Sequence, residues 1–325
     1  MSVSRAILAG LIQGLTEFLP VSSSGHLVIF ASLFGDGQSG NLMFTVFLHL
    51  ATLLAVVWTY RADVWSMARA LFSVCKDSLT GKVDFSSPDR KLTLMVIIGT
   101  IPAVAAAILI KLLRLEEALE NIFVVACMLL VTAVFMFLAD RLSDGAYAIT
   151  DARVAGEARI AETRPIEAPF ADNPISDAPI ADAFITNANS ENKFLPGSLL
   201  KASVVVGIFQ ALAILPGLSR SGSVIFAGLL CGLKKDFAVK YAFILSIPVI
   251  LGSAILELPK ALSSGAMGMS AISMAAGFTA ALLCGLISIQ LIKALINMEK
   301  FFVFGVYCAA LSAFAFLVSF GLVHF

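Results

Sequence analysis

A carboxylate, three consecutive hydroxyls and an imidazole stand within ten residues of an otherwise apolar stretch: Glu17, Ser22, Ser23, Ser24 and His26. Such groups can deprotonate a hydroxyl, hold an anion and move a proton. Serines followed by Gly25 at the start of a helix also offer unpaired N–H groups and the positive end of the helix dipole, which suit phosphate. Glu17 is the residue most in need of an explanation. An ionisable side chain in a membrane segment costs at least about 2.5 kcal/mol on insertion scales and is a functional candidate by default. The bland alternatives are a carboxylate that ties the loop together, serines that merely cap a helix, and a hydrogen-bonded structural histidine.

A weaker copy of this stretch lies 197 residues later, where Gly10, Gln13, Leu15, Ser22, Ser24 and Gly25 meet Gly207, Gln210, Leu212, Ser219, Ser221 and Gly222. Ser23 meets Arg220 at that offset. The guanidinium stays charged and presents a planar fork matched to phosphate oxygens. In an apolar setting it needs an anionic partner, and Glu17 can fill that place until a phosphate competes for it. A purely structural Arg–Glu bridge is the competing reading. Two copies of one polar loop predict a composite site assembled from two halves. His49, on one helical face with Thr45 and Thr52, is assigned a supporting role at most.

The elements that must position these groups belong in a membrane. Of 325 residues, 59% are hydrophobic and 14% charged, with a mean hydropathy of +0.95; soluble domains are about 45–50% apolar and about 25% charged. Apolar stretches near the length of about 20 residues that crosses the hydrocarbon core run over 42–60, 92–113, 122–139, 241–258, 271–292 and 301–323. A net charge of zero gives no pull toward nucleic acid. The five cysteines (Cys75, Cys127, Cys231, Cys284, Cys308) lack paired metal-ligand spacing, and since four of them sit within apolar segments they read as small buried hydrophobes.

The expected fold is an all-α polytopic membrane protein of two inverted-topology repeats, each a re-entrant helical hairpin plus three transmembrane helices. The first repeat covers 1–142 with its hairpin at 5–35, and the second covers 198–325 with its hairpin at 198–232. Pro20 and the Ser22–Gly25 run break the first hairpin, and Pro216, Gly217 and Gly222 break the second. Backbone that leaves the helix at membrane depth is tolerated only inside protein or beside a water-filled cavity. Three crossings per half invert the second half and place the site at the repeat interface. Eleven Lys and Arg flank the spans on one side against four on the other, which puts the first side in the cytoplasm and both termini outside. Residues 143–197, with three five-residue units beginning at Pro169, Pro174 and Pro179, read as a disordered or extended cytoplasmic insertion.

Gln13-Gly-Leu-Thr-Glu17-Phe-Leu-Pro-Val-Ser-Ser-Ser-Gly-His26 resembles the first signature of the bacterial undecaprenyl-diphosphatase, or bacitracin resistance, family, and Pro216-Gly-Leu-Ser219-Arg220-Ser221-Gly222 resembles the second. The likeness extends through 47–55 and 243–248, and covers the chain apart from 143–197, which is not part of the usual family core. It implies hydrolysis of undecaprenyl diphosphate to undecaprenyl phosphate and inorganic phosphate, which recycles the lipid carrier of wall synthesis and confers bacitracin resistance. It also implies a site open to the outer face of the inner membrane and a divalent cation, Mg2+ or Ca2+. The partners are then a polyprenyl diphosphate lipid and the bilayer, with homo-oligomerisation left open.

Carried onto matching positions, Glu17 holds the metal or deprotonates a nucleophile, Ser23 attacks the terminal phosphorus, and His26 transfers a proton. Arg220 with Ser219 and Ser221 clamps the diphosphate, and Ser22, Ser24, Gly25 and Gly222 complete the binding loops. Water in place of Ser23 is the alternative nucleophile. Gln13 stands where some members have glutamate, so this half of the site is expected to use one carboxylate. Thr45 replaces a residue often acidic in relatives, and Ser223 can stand in for a threonine that some carry where this chain has Val224. A polyprenyl-phosphate transporter or flippase is the rival function, because it needs the same anion clamp but no nucleophile.

Overall fold

The structure, a computed structural model, describes residues 1–34, 42–80, 85, 87–115, 119, 121–161, 196–263, 270–297 and 300–322. All regular structure among them is helical: α1 Val3–Phe18, α2 Ser23–Phe34, α3 Leu42–Thr59, α4 Arg61–Thr80, α5 Pro88–Leu112, α6 Ile122–Ala161, α7 Pro196–Leu212, α8 Arg220–Leu230, α9 Lys235–Ser263, α10 Ala271–Asn297 and α11 Phe301–Ser319. Their starts follow local chemistry. Ser87 Oγ accepts from the Arg90 N–H at 3.3 Å ahead of Pro88, whose missing donor costs nothing in the first turn.

Five described helices are long and apolar enough to cross a membrane: Pro88–Leu112, Ile122–Ser143, Lys235–Pro259, Ala271–Leu295 and Phe301–Ser319. The apolar α3 runs into α4 through a bend of 86°. By contrast α2, with 12 residues, and α8, with 11, are too short to cross, since about 1.5 Å per residue leaves them well under a core of about 30 Å. Each packs against the helix before it, α1 for α2 and α7 for α8.

The pairings cross between halves. Helix α1 lies along α10, and α7 along α5. Both contacts are set by small residues. A Cβ added at Gly10 would fall 2.3 Å from the Gly277 carbonyl oxygen, and one at Gly14 would fall 2.5 Å from that of Ala281. The offset partner Gly207 meets Gly99 in the same way, at 2.8 Å from its carbonyl oxygen. Without a hydrophobic force between helices in lipid, such close backbone approach supplies the packing. Gly10→Val is therefore expected to destabilise the fold by about 1–3 kcal/mol or more, read as a lower thermal transition. Gly252→Ala, whose added Cβ meets nothing within 4 Å, should leave the transition where it is.

Basic groups gather at one end of the bundle. Lys240 Nζ lies 3.0 Å from Asp63 Oδ2, and the ammonium groups of Lys240 and Lys293 stand 5.9 and 5.0 Å from the Tyr60 ring centroid. The end of α3 and the start of α9 thus share a level with the end of α10.

One expectation is corrected. The chain from 143 onward does not begin as extended chain, because α6 continues as helix to Ala161. The sequence past the span is alanine-rich and has no proline before Pro165, so the helix runs on in spite of Gly145 and Gly156. The three proline-led units lie outside the described residues.

Candidate functional site

Helix α1 ends at Phe18, and the turn through Leu19–Ser22 redirects the chain into α2. Ser22 takes a left-handed backbone, φ 69°, which is unusual without glycine and costs of order 1–3 kcal/mol. Its own groups hold it there: Ser22 Oγ accepts from the Gly25 N–H at 3.2 Å, and its carbonyl accepts from His26 Nδ1 at 2.7 Å. The second loop bends at Gly217, φ 94°, where a Cβ would lie 2.5 Å from the Val125 carbonyl oxygen. Ser219 then caps α8, accepting from the Gly222 N–H at 3.1 Å.

The two loops interlock. The Gly217 N–H donates to Ser24 Oγ at 3.3 Å, and Ser221 Oγ donates to the Leu19 carbonyl at 3.0 Å. Glu17 stands at the crossing. Its Oε2 accepts from Ser23 Oγ at 2.6 Å and from Gln13 Nε2 at 2.8 Å, while Oε1 lies 3.6 Å from Arg220 Nη1. The Glu17 side chain is 6% exposed and that of Arg220 28%. Arg220 Nη1 has no hydrogen-bond partner among the described residues. A buried carboxylate in contact with a serine hydroxyl is placed to take its proton, and a guanidinium nitrogen short of an acceptor is placed to receive a phosphate oxygen.

The expected residues therefore divide into two groups. Glu17, Ser23, Arg220 and Gln13 meet one another directly. Ser22, Ser24, Gly25, Ser219, Ser221 and Gly222 shape and join the loops, and the hydroxyls of Ser24, Ser219 and Ser221 are engaged in doing so. Ser223 Oγ is buried without a hydrogen-bond partner among the described residues. His49 Nδ1 bonds the Thr45 carbonyl at 2.9 Å.

His26 packs against Tyr307 of α11. The Ser22 carbonyl can only accept, so Nδ1 carries the proton and Nε2 accepts from the Tyr307 hydroxyl at 2.7 Å, with the rings 8° from parallel. The sequence reading missed Tyr307, which lies in an apolar span with nothing to mark it. It also missed Thr132 in α6. Its buried Oγ1 accepts from the Ser219 N–H at 3.0 Å and lies 3.1 Å from the Gly217 carbonyl, which holds the second loop on α6. Tyr307→Phe removes the donor to His26 and is expected to slow turnover by about 2–10-fold, the net worth of one hydrogen bond. Steady-state rates beside those of His26→Ala would check this, and a loss as large as that of His26→Ala would give Tyr307 a greater part.

Among the described residues no group of three or more His, Cys, Asp or Glu could hold a metal ion. At the crossing, the oxygens suited to a hard cation are the Glu17 carboxylate and Gln13 Oε1, which is buried without a hydrogen-bond partner among the described residues. This donor set fits an ion completed by substrate phosphate and water rather than an all-protein cage.

Spans that cross the bilayer and two short helix pairs interlocked around a buried carboxylate, hydroxyl and arginine define a multi-pass membrane protein with a polar site inside its helical bundle. The family described as Bacitracin resistance protein BacA matches residues 6–168 and 175–314, and the chain belongs to it. The chain is 34% identical over 327 residues to the undecaprenyl-diphosphatase of Methanobrevibacter smithii, covering 98% of each. It is 31% identical to that of Alkaliphilus metalliredigens, over 98% of this chain and 99% of that one. Against that of Methanococcus vannielii the identity is 33%, over 95% and 97%. The match runs into the segment beginning at 143 and resumes at 175.

Proposed function

We propose that the protein hydrolyses undecaprenyl diphosphate to undecaprenyl phosphate and inorganic phosphate. The observation that carries this reading is the 2.6 Å hydrogen bond from Ser23 Oγ to Glu17, with Arg220 beside the other carboxylate oxygen. The names of the relatives agree with it. Ser23 Oγ attacks the terminal phosphorus and its proton passes to Glu17. The bond from that phosphorus to the bridging oxygen breaks, and undecaprenyl phosphate departs. Water then cleaves the phosphoserine, releasing inorganic phosphate and restoring the hydroxyl. Phosphoryl transfer depends mostly on positioning and on neutralising charge over the equatorial oxygens. Arg220 serves that end by exchanging Glu17 for a phosphate oxygen. A transporter would need this clamp but not a hydroxyl set against a buried carboxylate.

The crossed pairings of α1 with α10 and α7 with α5, and the equivalent contacts of Gly10 and Gly207, support two inverted repeats. The basic groups at the Tyr60 end support placing that end in the cytoplasm, with both termini and the site opening on the outer face of the cell membrane. A divalent cation, Mg2+ or Ca2+, would be held by Glu17 and Gln13 and would supply charge neutralisation on the diphosphate.

Phosphate release by the purified protein in detergent, supplied with undecaprenyl diphosphate, tests the function. A chelator is expected to reduce the rate by at least about tenfold, with recovery on adding back Mg2+ or Ca2+. An unchanged rate would remove the cation from the mechanism. Bound but uncleaved lipid would turn the reading toward transport.

A further inference from the structure

Helix α4 meets the apolar α3 at 86°, so if α3 runs along the bilayer normal, α4 lies near the membrane plane. Its two acids point into the protein. Asp63 Oδ2 lies 3.0 Å from Lys240 Nζ, and Asp77 accepts from Arg90 of α5 at 2.6 Å. Ser66 Oγ donates to Asp89 of α5 at 3.2 Å, Arg90 also donates to Ser73, and Ala70 is buried. The opposite face carries Arg61, Trp65, Arg69, Phe72 and Lys76 at spacings of three and four residues, all exposed. Trp65 is 63% exposed and Phe72 76%. The Arg61 guanidinium stands 5.7 Å from the ring centroid of Trp58 and that of Arg69 5.8 Å from Trp65.

We infer that this face of α4 is a docking surface for the anionic headgroups of the adjoining lipid leaflet. Large aromatics exposed to this extent are unfavourable in water and common at the boundary of headgroups and chains. Arginine and lysine stems lie along apolar surface while their charges reach phosphate. With both acids turned inward and paired, the outward face bears three positive charges and no negative one. That is the complement of an anionic lipid surface. The inference depends neither on the proposed reaction nor on which side of the membrane this end occupies.

The chain contains two tryptophans, so Trp58→Phe leaves Trp65 as the sole reporter. The full-length variant is reconstituted into phosphatidylcholine vesicles in which a minor fraction of lipid carries shallow brominated chains. Brominated phosphatidylcholine is expected to quench Trp65. The same fraction of brominated phosphatidylglycerol should quench it about twofold more, because basic groups enrich anionic lipid at their own position. Adding R61Q, R69Q and K76Q should abolish that difference and leave the quenching by phosphatidylcholine. An unquenched, water-exposed Trp65 would overturn the placement, as would shielding of Trp65 by a protein partner. Equal quenching by the two lipids would overturn the anionic preference.

Discussion

Ser23→Ala and Glu17→Gln are each expected to reduce phosphate release from undecaprenyl diphosphate by about 10²–10⁴-fold, the range of a lost nucleophile or base, with the double variant losing little more. The hydroxyl and the carboxylate are 2.6 Å apart in a part-buried contact, so each has its proposed role only through the other. Groups that act as one unit give strongly non-additive losses. Glutamine keeps an acceptor for Ser23 and the volume of Glu17 but cannot take the proton. A Ser23→Ala protein that retains near-native turnover, while Glu17→Gln does not, would identify water as the attacking group and leave Glu17 as its base. Near-native rates in both would remove the site from the reaction.

Arg220→Ala is expected to lower turnover by about 10³-fold or more, within the range for an arginine that neutralises a transferring phosphoryl group. Arg220→Lys should recover little of it, because an ammonium cannot present the planar fork. Removing Arg220 also leaves Glu17 as a buried charge without its counter-ion, and such a loss costs about 3–5 kcal/mol where a pair is fully buried. Arg220 is partly exposed, so the cost here falls below that range. The thermal transition separates the two effects. Arg220→Ala should lower it, and adding Glu17→Gln should restore part of the stability but none of the activity. Activity returning with stability would make the pair structural.

The membrane class, the two broken hairpins and the pairing of Glu17 with Arg220 were legible because each leaves a mark in one dimension. Composition sets the solvent, proline and glycine interrupt apolar runs, and a repeat offset aligns one loop with the other. The roles of the remaining hydroxyls were not legible. Ser22, Ser24, Ser219 and Ser221 have the same residue type as Ser23, yet three of them join loop to loop or cap a helix and one holds a left-handed turn. A serine's type does not reveal where its hydroxyl points; that depends on the neighbour the fold brings within 3 Å or so. The break expected near residue 143 failed for a related reason, since loss of apolar character ends a span without ending a helix.

Glu17, Ser23 and Arg220 are thus a matter of residue chemistry: an ionisable pair in apolar sequence must find company, and few groups were available to provide it. Tyr307 and Thr132 are a matter of packing. Each sits in an apolar helix far along the chain, and only the docking of α11 and α6 against the loops sets Tyr307 on His26 and Thr132 on Ser219. Hydropathy determines which helices enter the membrane, whereas directional hydrogen bonds across distant segments exist only once glycine-set contacts have placed those helices.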